Sequence, residues 1–298
     1  MSTAIFAAEG SEGSMNRREA MGWFAKLGTM LGLSGTSAMT QSCDAAPDEQ
    51  TARMIAAFPY PVVTVPGQRA LAEWEKLKKR GDGWPVILGS DDESRAVIEH
   101  FSIDDPKVFE QPDVEAMGLP PLPVAKPVDE ILFEARQIDI PAKLQELFDQ
   151  EFGEDPFELE AGDWPKPGQM APMELTVHRD VLSDELFPRV HIAILPTDDP
   201  TEAAAYLRWG GWNACPQPEV HVAMHQKWRE QYGAEVVGMT DAVINMRAKR
   251  RPATRAEAMA LAREQFLYCN DIVLQGTNTL EPLAMSLMES DWWYFWWD

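Results

Sequence analysis

Apolar positions along the chain follow two rhythms. Short aliphatic or β-branched runs at 62–65, 85–88, 173–178 and 189–195 have the length and composition of buried strands. Ala70, Leu71, Trp74 and Leu77 recur at helical spacing within 68–80, so they share one helix face. Gly81-Asp82-Gly83 ends that helix. Ser90 and Glu93 form a capping box that opens another helix, running to about Phe101. Strand, helix, strand, helix in that order favours a parallel pair with a right-handed crossover.

Proline enrichment marks 102–128 as a long loop, whereas 129–152 reads as mainly helical with Leu144, Leu147, Phe148 and Phe152 on one face. Residues 153–172 are again loop. Asp199 caps a helix that begins at Pro200 and stops at Gly210-Gly211. Pro218 opens the next, with Gly233 as its left-handed terminator. Residues 235–239 and 242–248 alternate like a hairpin. A second capping box, Thr254 with Glu257, opens a helix to about Tyr268, and a last helix spans about Thr279 to Met288. The closing Trp292-Trp293-Tyr294-Phe295-Trp296-Trp297 is too aromatic for a solvated tail and reads as a buried final strand. The stretch 86–92 echoes 193–199, each a strand, a short link and paired aspartates before a helix. Such units suit neighbours in one sheet, or relics of a duplication.

The expected class is α/β, with α+β as the alternative. A mixed sheet is flanked by helices, with a smaller N-terminal strand–helix–strand–helix unit. The expected divisions are a signal-like segment at 1–43, a tether at 44–57, the N-terminal unit with its proline-rich loop at 58–128, a helix and linker at 129–172, and a C-terminal domain at 173–298.

The first segment changes the picture of where the protein works. Arg17 and Arg18 precede a mildly apolar stretch in the layout of a twin-arginine export signal, and Met15 makes a natural start. Cys43 stands where a lipoprotein signal places its acylated cysteine, although Thr40 replaces the usual leucine. The expectation is an exported protein, periplasmic or tethered to a membrane by lipid. The rival is an amphipathic N-terminal helix on a cytoplasmic protein. No uninterrupted apolar run reaches the roughly 18 residues of a spanning helix, so a membrane is met only through the signal or the anchor.

Charge narrows the partners. The 298 residues carry 48 acidic and 26 basic side chains, a formal net charge of -22. Such a surface repels phosphate backbones, which argues against nucleic acid and favours a basic protein, a small ligand or a cation. Acidity that serves solubility alone is the plainer reading. Three cysteines are too few for a disulfide scaffold.

Candidate chemistry is sparse. His221 and His225 lie four apart on one helix face, a spacing able to hold a divalent metal with Glu219 or Cys215 as third ligand. The adjacent His-Glu of metalloproteases is absent, and exposed surface histidines are the plainer reading. The pairs Asp91-Asp92 and Asp198-Asp199 follow strand ends, fit either for a hard cation or for helix capping. Cys269, beside Tyr268 and Asp271, sits at a helix C-terminus, which suits a core thiol better than a reactive one. In an oxidising compartment Cys215 and Cys269 are candidates for a disulfide. Of the 11 tryptophans, Trp209, Trp212, Trp228, Trp292, Trp293, Trp296 and Trp297 crowd the C-terminal region. Alternate strand residues face opposite sides, so the terminal run cannot bury every ring in one core. Trp209, Trp212, Trp228, Tyr268, Asp271, Trp296, Trp297 and Asp298 are therefore candidates for a ligand- or partner-binding face, set against plain core packing. No nucleophilic triad motif, phosphate loop or dinucleotide fingerprint is present.

Several segments carry a resemblance. These are Trp209-Gly210-Gly211-Trp212-Asn213-Ala214-Cys215-Pro216, Trp228 through Glu235, Arg251-Pro252-Ala253-Thr254, Tyr268-Cys269-Asn270-Asp271-Ile272-Val273 and the closing Trp-Tyr-Phe-Trp-Trp-Asp. In order and spacing, 191–298 resembles the bacterial domain-of-unknown-function family 4253. The resemblance implies a domain and no mechanism. The expected function is a non-catalytic binding or interaction module with no resident cofactor. The alternatives are a metal-dependent hydrolase-like enzyme using His221 and His225, and an immunity-type protein that blocks a basic toxin.

Overall fold

The computed structural model describes residues 47–103, 125–153, 159–166 and 173–297. The signal residues Arg17, Arg18 and Cys43, and the terminal Asp298, lie outside the described residues.

The expected tether is ordered over most of its described part. Helix α1 (Glu49–Ala57) starts where Asp48 accepts the Thr51 N–H at 2.9 Å, and it buries Thr51 and Met54. Arg95 then donates to Asp48 at 2.7 Å, joining α1 to helix α3 (Asp91–Phe101). Strand β1 (Val62–Val65), helix α2 (Ala70–Arg80) and strand β2 (Trp84–Gly89) follow as their patterns predict. Gly81 ends α2 at φ 74°, the left-handed conformation that glycine adopts without a Cβ penalty. The Ser90–Glu93 capping box opens α3.

The helical stretch at 129–152 is two helices, α4 (Val128–Ala135) and α5 (Ile140–Phe152). Asp139 caps the second, and Pro141 in its first turn has no N–H to continue the first. Residues 173–178 do not form the expected strand. The Thr176 and Val177 N–H groups donate to the Asn245 side chain at 2.7 and 3.1 Å, so that backbone satisfies its donors without a ladder.

The remaining elements are strand β3 (Val190–Leu195), a 3-10 turn (Pro200–Glu202) running into short α6 (Ala203–Tyr206), helix α7 (Pro218–Tyr232), and the hairpin β4 (Glu235–Met239) and β5 (Val243–Arg247). Helix α8 (Arg255–Tyr268), a π-helical turn (Ile272–Thr277), helix α9 (Leu280–Glu289) and strand β6 (Trp292–Trp296) complete the described elements.

The strands form one mixed sheet in the order β1-β3-β2-β4-β5-β6, so the class is α/β. β3 lies between β1 and β2 and runs antiparallel to both. The two N-terminal strands are therefore co-directional but not adjacent, which corrects the expected parallel pair. The echoing segments are sheet neighbours, with Val86 opposite Ala193. β2 and β4 make the parallel contact. Every residue of β2, β3 and β4 is buried, consistent with cover on both faces. One apolar cluster extends from Met54 to Trp297, so the N-terminal strands share the core of the C-terminal region.

Asp91 ties these parts together. Arg189 donates to it from Nε at 2.8 Å and from a terminal nitrogen at 2.6 Å, and His191 Nε2 meets it at 2.8 Å. Thr64 of β1 meets His191 Nδ1 at 2.9 Å. Arg189 and His191 hold the Asp91 carboxyl well below its usual range against the opposing effect of burial. Asp91 thus serves an internal clamp rather than an open cation site, while Asp199 caps its helix as expected, accepting the Thr201 N–H at 2.9 Å. Among the described residues no helix is long and apolar enough to cross a membrane.

Candidate functional site

The loop between α6 and α7 is built from unusual backbone. Arg208, Gly210, Gly211 and Asn213 all have positive φ, at 50°, 115°, 86° and 45°. At Gly210 a Cβ would stand 2.2 Å from the Pro216 carbonyl oxygen and 2.7 Å from His221 Nε2. Only glycine permits that approach. The Gly211 N–H donates to Pro216 O at 2.8 Å and the Cys215 N–H to Trp212 O at 2.7 Å. Trp209 pins the start of the loop by donating from Nε1 to Thr240 O at 2.5 Å. Of the four positive-φ residues, Arg208 and Asn213 carry a Cβ, so their positive φ costs conformational energy, and such strain concentrates at functional loops.

This loop sets Cys215 against the first turn of α7. Cys215 Sγ lies 3.5 Å from His221 Nε2, His221 Nδ1 lies 2.5 Å from the Tyr268 hydroxyl, and that hydroxyl lies 3.3 Å from His225 Nε2. A thiol, an imidazole, a phenol and a second imidazole thus form one hydrogen-bonded chain. Both histidines are fully buried, which corrects the reading of exposed surface histidines. His225 Nδ1 has no partner among the described residues. Rings wrap the chain: Trp209 and Trp297 lie 5.0 and 5.5 Å from the His221 ring, and Trp228 lies 5.0 Å from the Tyr268 ring.

Burial dominates the electrostatics. It pushes the Cys215 thiol and the Tyr268 phenol well up, and it holds His221 well down. His225 is pulled down to about 3 by burial. Charged forms are unfavourable in so apolar a surround, so the resting chain is neutral at pH 7.

Cys215 and Tyr268 also face a cavity of about 530 Å³. One wall is the loop, with Gly211, Asn213, Ala214, Pro216 and Gln217. The opposite wall is α5, contributing Lys143, Leu147, Phe148, Glu151 and Phe152, with Phe266, Leu267 and Asn270 from the end of α8. Among the described residues, Lys143 and Glu151 are its charged lining groups, one of each sign.

The structure distributes the other expected site residues differently. Trp209, Trp212, Trp228, Tyr268 and Trp297 are buried in the core, and of these Tyr268 also lines the cavity. Trp296 is half-buried on the outward side of β6, whose alternation buries Trp293 and Phe295. Asp271 is half-buried and accepts from Gln275 at 2.7 Å. The thiols of Cys215 and Cys269 are free rather than joined. Cys269 donates to Trp296 O at 3.0 Å, turned toward β6, and burial raises its pKa strongly. No group of three or more His, Cys, Asp or Glu side chains among the described residues is arranged to hold a metal. The nitrogens of His221 and His225 that approach each other converge on Tyr268, not on a common open point. The wall from α5 and the bridging role of Tyr268 went unseen in the sequence. The Gly-Gly and Asn of the loop, set just before two histidines four apart, were the signal available.

No curated protein and no solved structure matches the chain. A family model does match part of it, and the matched part contains β4 to β6 and all of β3 except Val190, while β1 and β2, the latter inserted between β3 and β4, lie outside. Residues 191–298 match the model described as Domain of unknown function (DUF4253), which places the left-handed loop, both buried histidines and Tyr268 within that domain and the α5 wall of the cavity before it.

Proposed function

We propose that the protein is a small-molecule binding module and that its site is the cavity between α5 and the 208–217 loop. The observation that carries this reading is the cavity itself, about 530 Å³ in volume, within the range of small-molecule sites. It combines an apolar aromatic wall with convergent polar groups. Phe148, Phe152 and Phe266 suit an apolar portion of a ligand, while Asn213, Gln217 and Asn270 suit hydrogen-bonding groups. Among the described residues the lining carries one cation, Lys143, which also pairs with Glu146 at 2.8 Å, and one carboxylate, Glu151, which favours a neutral or zwitterionic molecule over a strongly basic one. The small-ligand branch of the sequence expectation is thereby preferred to the basic-protein branch.

Native mass spectrometry of the protein purified from its own host tests this, alongside an Ala214→Trp variant that fills the cavity. The expected result is a small non-protein mass retained by the wild type and lost from Ala214→Trp, with both proteins folded. A wild type that carries no ligand, and whose melting temperature no small molecule in a broad screen raises, would sink the proposal.

A further inference from the structure

A thiol on a cavity wall beside an imidazole has a chemistry of its own. Cys215 lines the cavity, and its sulfur lies 3.5 Å from His221 Nε2. The other described thiol supplies an internal contrast, because Cys269 is turned toward Trp296 O and is not among the cavity-lining residues. Among the described residues the lining also carries four side-chain amides, from Gln150, Asn213, Gln217 and Asn270, with one ammonium and one carboxylate. Those groups complement the amides and opposite charges of an amino-acid-like ligand.

Resting on the binding reading above, we propose that the ligand class is a low-molecular-mass, amide-bearing disulfide and that Cys215 exchanges with it, His221 accepting the thiol proton. In the step the Cys215 S–H proton passes to His221 Nε2 while the sulfur attacks the nearer sulfur of the ligand. A new S–S bond forms. The old S–S bond breaks, and its electron pair leaves on the distal sulfur, which takes the proton from His221 and departs as a thiol. Cys215 is oxidised to a mixed disulfide and the ligand disulfide is reduced to one free thiol, so no further oxidant is needed. While His221 carries the extra proton, its Nδ1–H donates to the Tyr268 oxygen, and the Tyr268 O–H donates to His225 Nε2.

This arrangement has a kinetic signature. A solvent-exposed thiol reacts through its thiolate, so below its pKa the rate rises tenfold per pH unit. Here burial keeps sulfur protonated and His221 neutral. Proton transfer within the pair replaces that ionisation, and the rate stays flat while neither titrates. Among the described residues, the ionisable groups facing the pair are Tyr268, His225 and Cys269, with Lys143 and Glu151 across the cavity.

The experiment incubates the reduced full chain with glutathione disulfide at pH 6, 7 and 8 and follows Cys215 by intact mass and peptide mapping. The expected result is one mixed disulfide on Cys215, reversible by dithiothreitol, with Cys269 unmodified and a rate that changes less than about twofold over this range. His221→Gln is expected to slow the reaction by about 100-fold at pH 6, the lower end of general-base effects, and to restore the rise with pH. Tyr268→Phe provides a second variant with the same direction and a smaller effect. An unmodified Cys215, equal labelling of Cys269, or an unchanged rate and pH profile in His221→Gln would overturn the proposal. A bound small molecule with an inert Cys215 rejects the exchange alone. Wild-type reactivity in Ala214→Trp rejects the cavity as its route, and with it the binding reading.

Discussion

His225 gives the fold an acid sensitivity whose size follows from its burial. The imidazole is fully buried, and its pKa falls from 6.5 to about 3. An unfolded chain takes up a proton near pH 6.5 that the folded chain refuses until about pH 3. Stability is therefore complete above pH 6.5 and is lost as the pH falls through that window. Between pH 7 and pH 5 the loss from this one group is about 2 kcal/mol, at 1.36 kcal/mol per pH unit. His221 is depressed by the same cause and adds a loss of the same sign. Glu93 works in the opposite direction. Burial raises its pKa from 4.5 to about 7, so its contribution is present at low pH and lost as the pH rises. Over pH 7 to 5 it restores at most about 2 kcal/mol, less whatever solvent screens from this half-buried group. The wild-type curve alone therefore mixes effects that cancel. The informative quantity is the difference in pH slope between wild type and His225→Gln, whose amide can reach Tyr268 but does not titrate. Urea unfolding at pH 7 and pH 5 measures it. With m of roughly 2–3 kcal/mol/M, the wild-type midpoint should fall by about 0.7–1 M more than that of the variant. Equal slopes in the two proteins would refute the buried, neutral imidazole and with it the hydrogen-bonded chain.

Two further outcomes test the frame around the site. Asp91→Ala leaves Arg189 and His191 facing each other without their shared carboxylate, and should cost about 3 kcal/mol at pH 7 in urea unfolding; a loss under 1 kcal/mol would show that the clamp is not integral to the sheet. Gly210→Ala puts a methyl group against Pro216 O and His221 at φ 115°, and should cost more than about 1 kcal/mol in thermal or urea unfolding, with Cys215 more accessible to alkylation; an unchanged midpoint would show that the loop relaxes freely.

Local chemistry was legible in the sequence wherever the deciding contacts are short-range. The Ser90–Glu93 box, Asp199 before Pro200, and Gly81 and Gly233 as left-handed terminators all act within a few residues of chain, and the structure has each in place. The alternation of the terminal aromatic run likewise placed β6. The strand expected at 173–178 failed because a side chain 69 positions away from Thr176, that of Asn245, takes up its donors. The two histidines were misjudged because helical spacing states which face they share and not what covers it. Their face is closed by Trp209, Tyr268 and Trp297, from three separate segments.

By itself, then, the sequence determined most of the elements, several of their caps and the crowding of aromatic residues into the C-terminal region, since periodicity and capping are set by backbone geometry over one or two turns. Its resemblance to a known domain over 191–298 agrees with the family match. Tertiary structure alone decided that β3 enters between β1 and β2, that β2 completes a sheet whose other central strands lie in the matched domain, and that α5 meets the 208–217 loop across a cavity. Strand order and cavity walls depend on which distant surfaces bury each other. Many pairings of the same elements satisfy the local pattern, and only the packed core selects one.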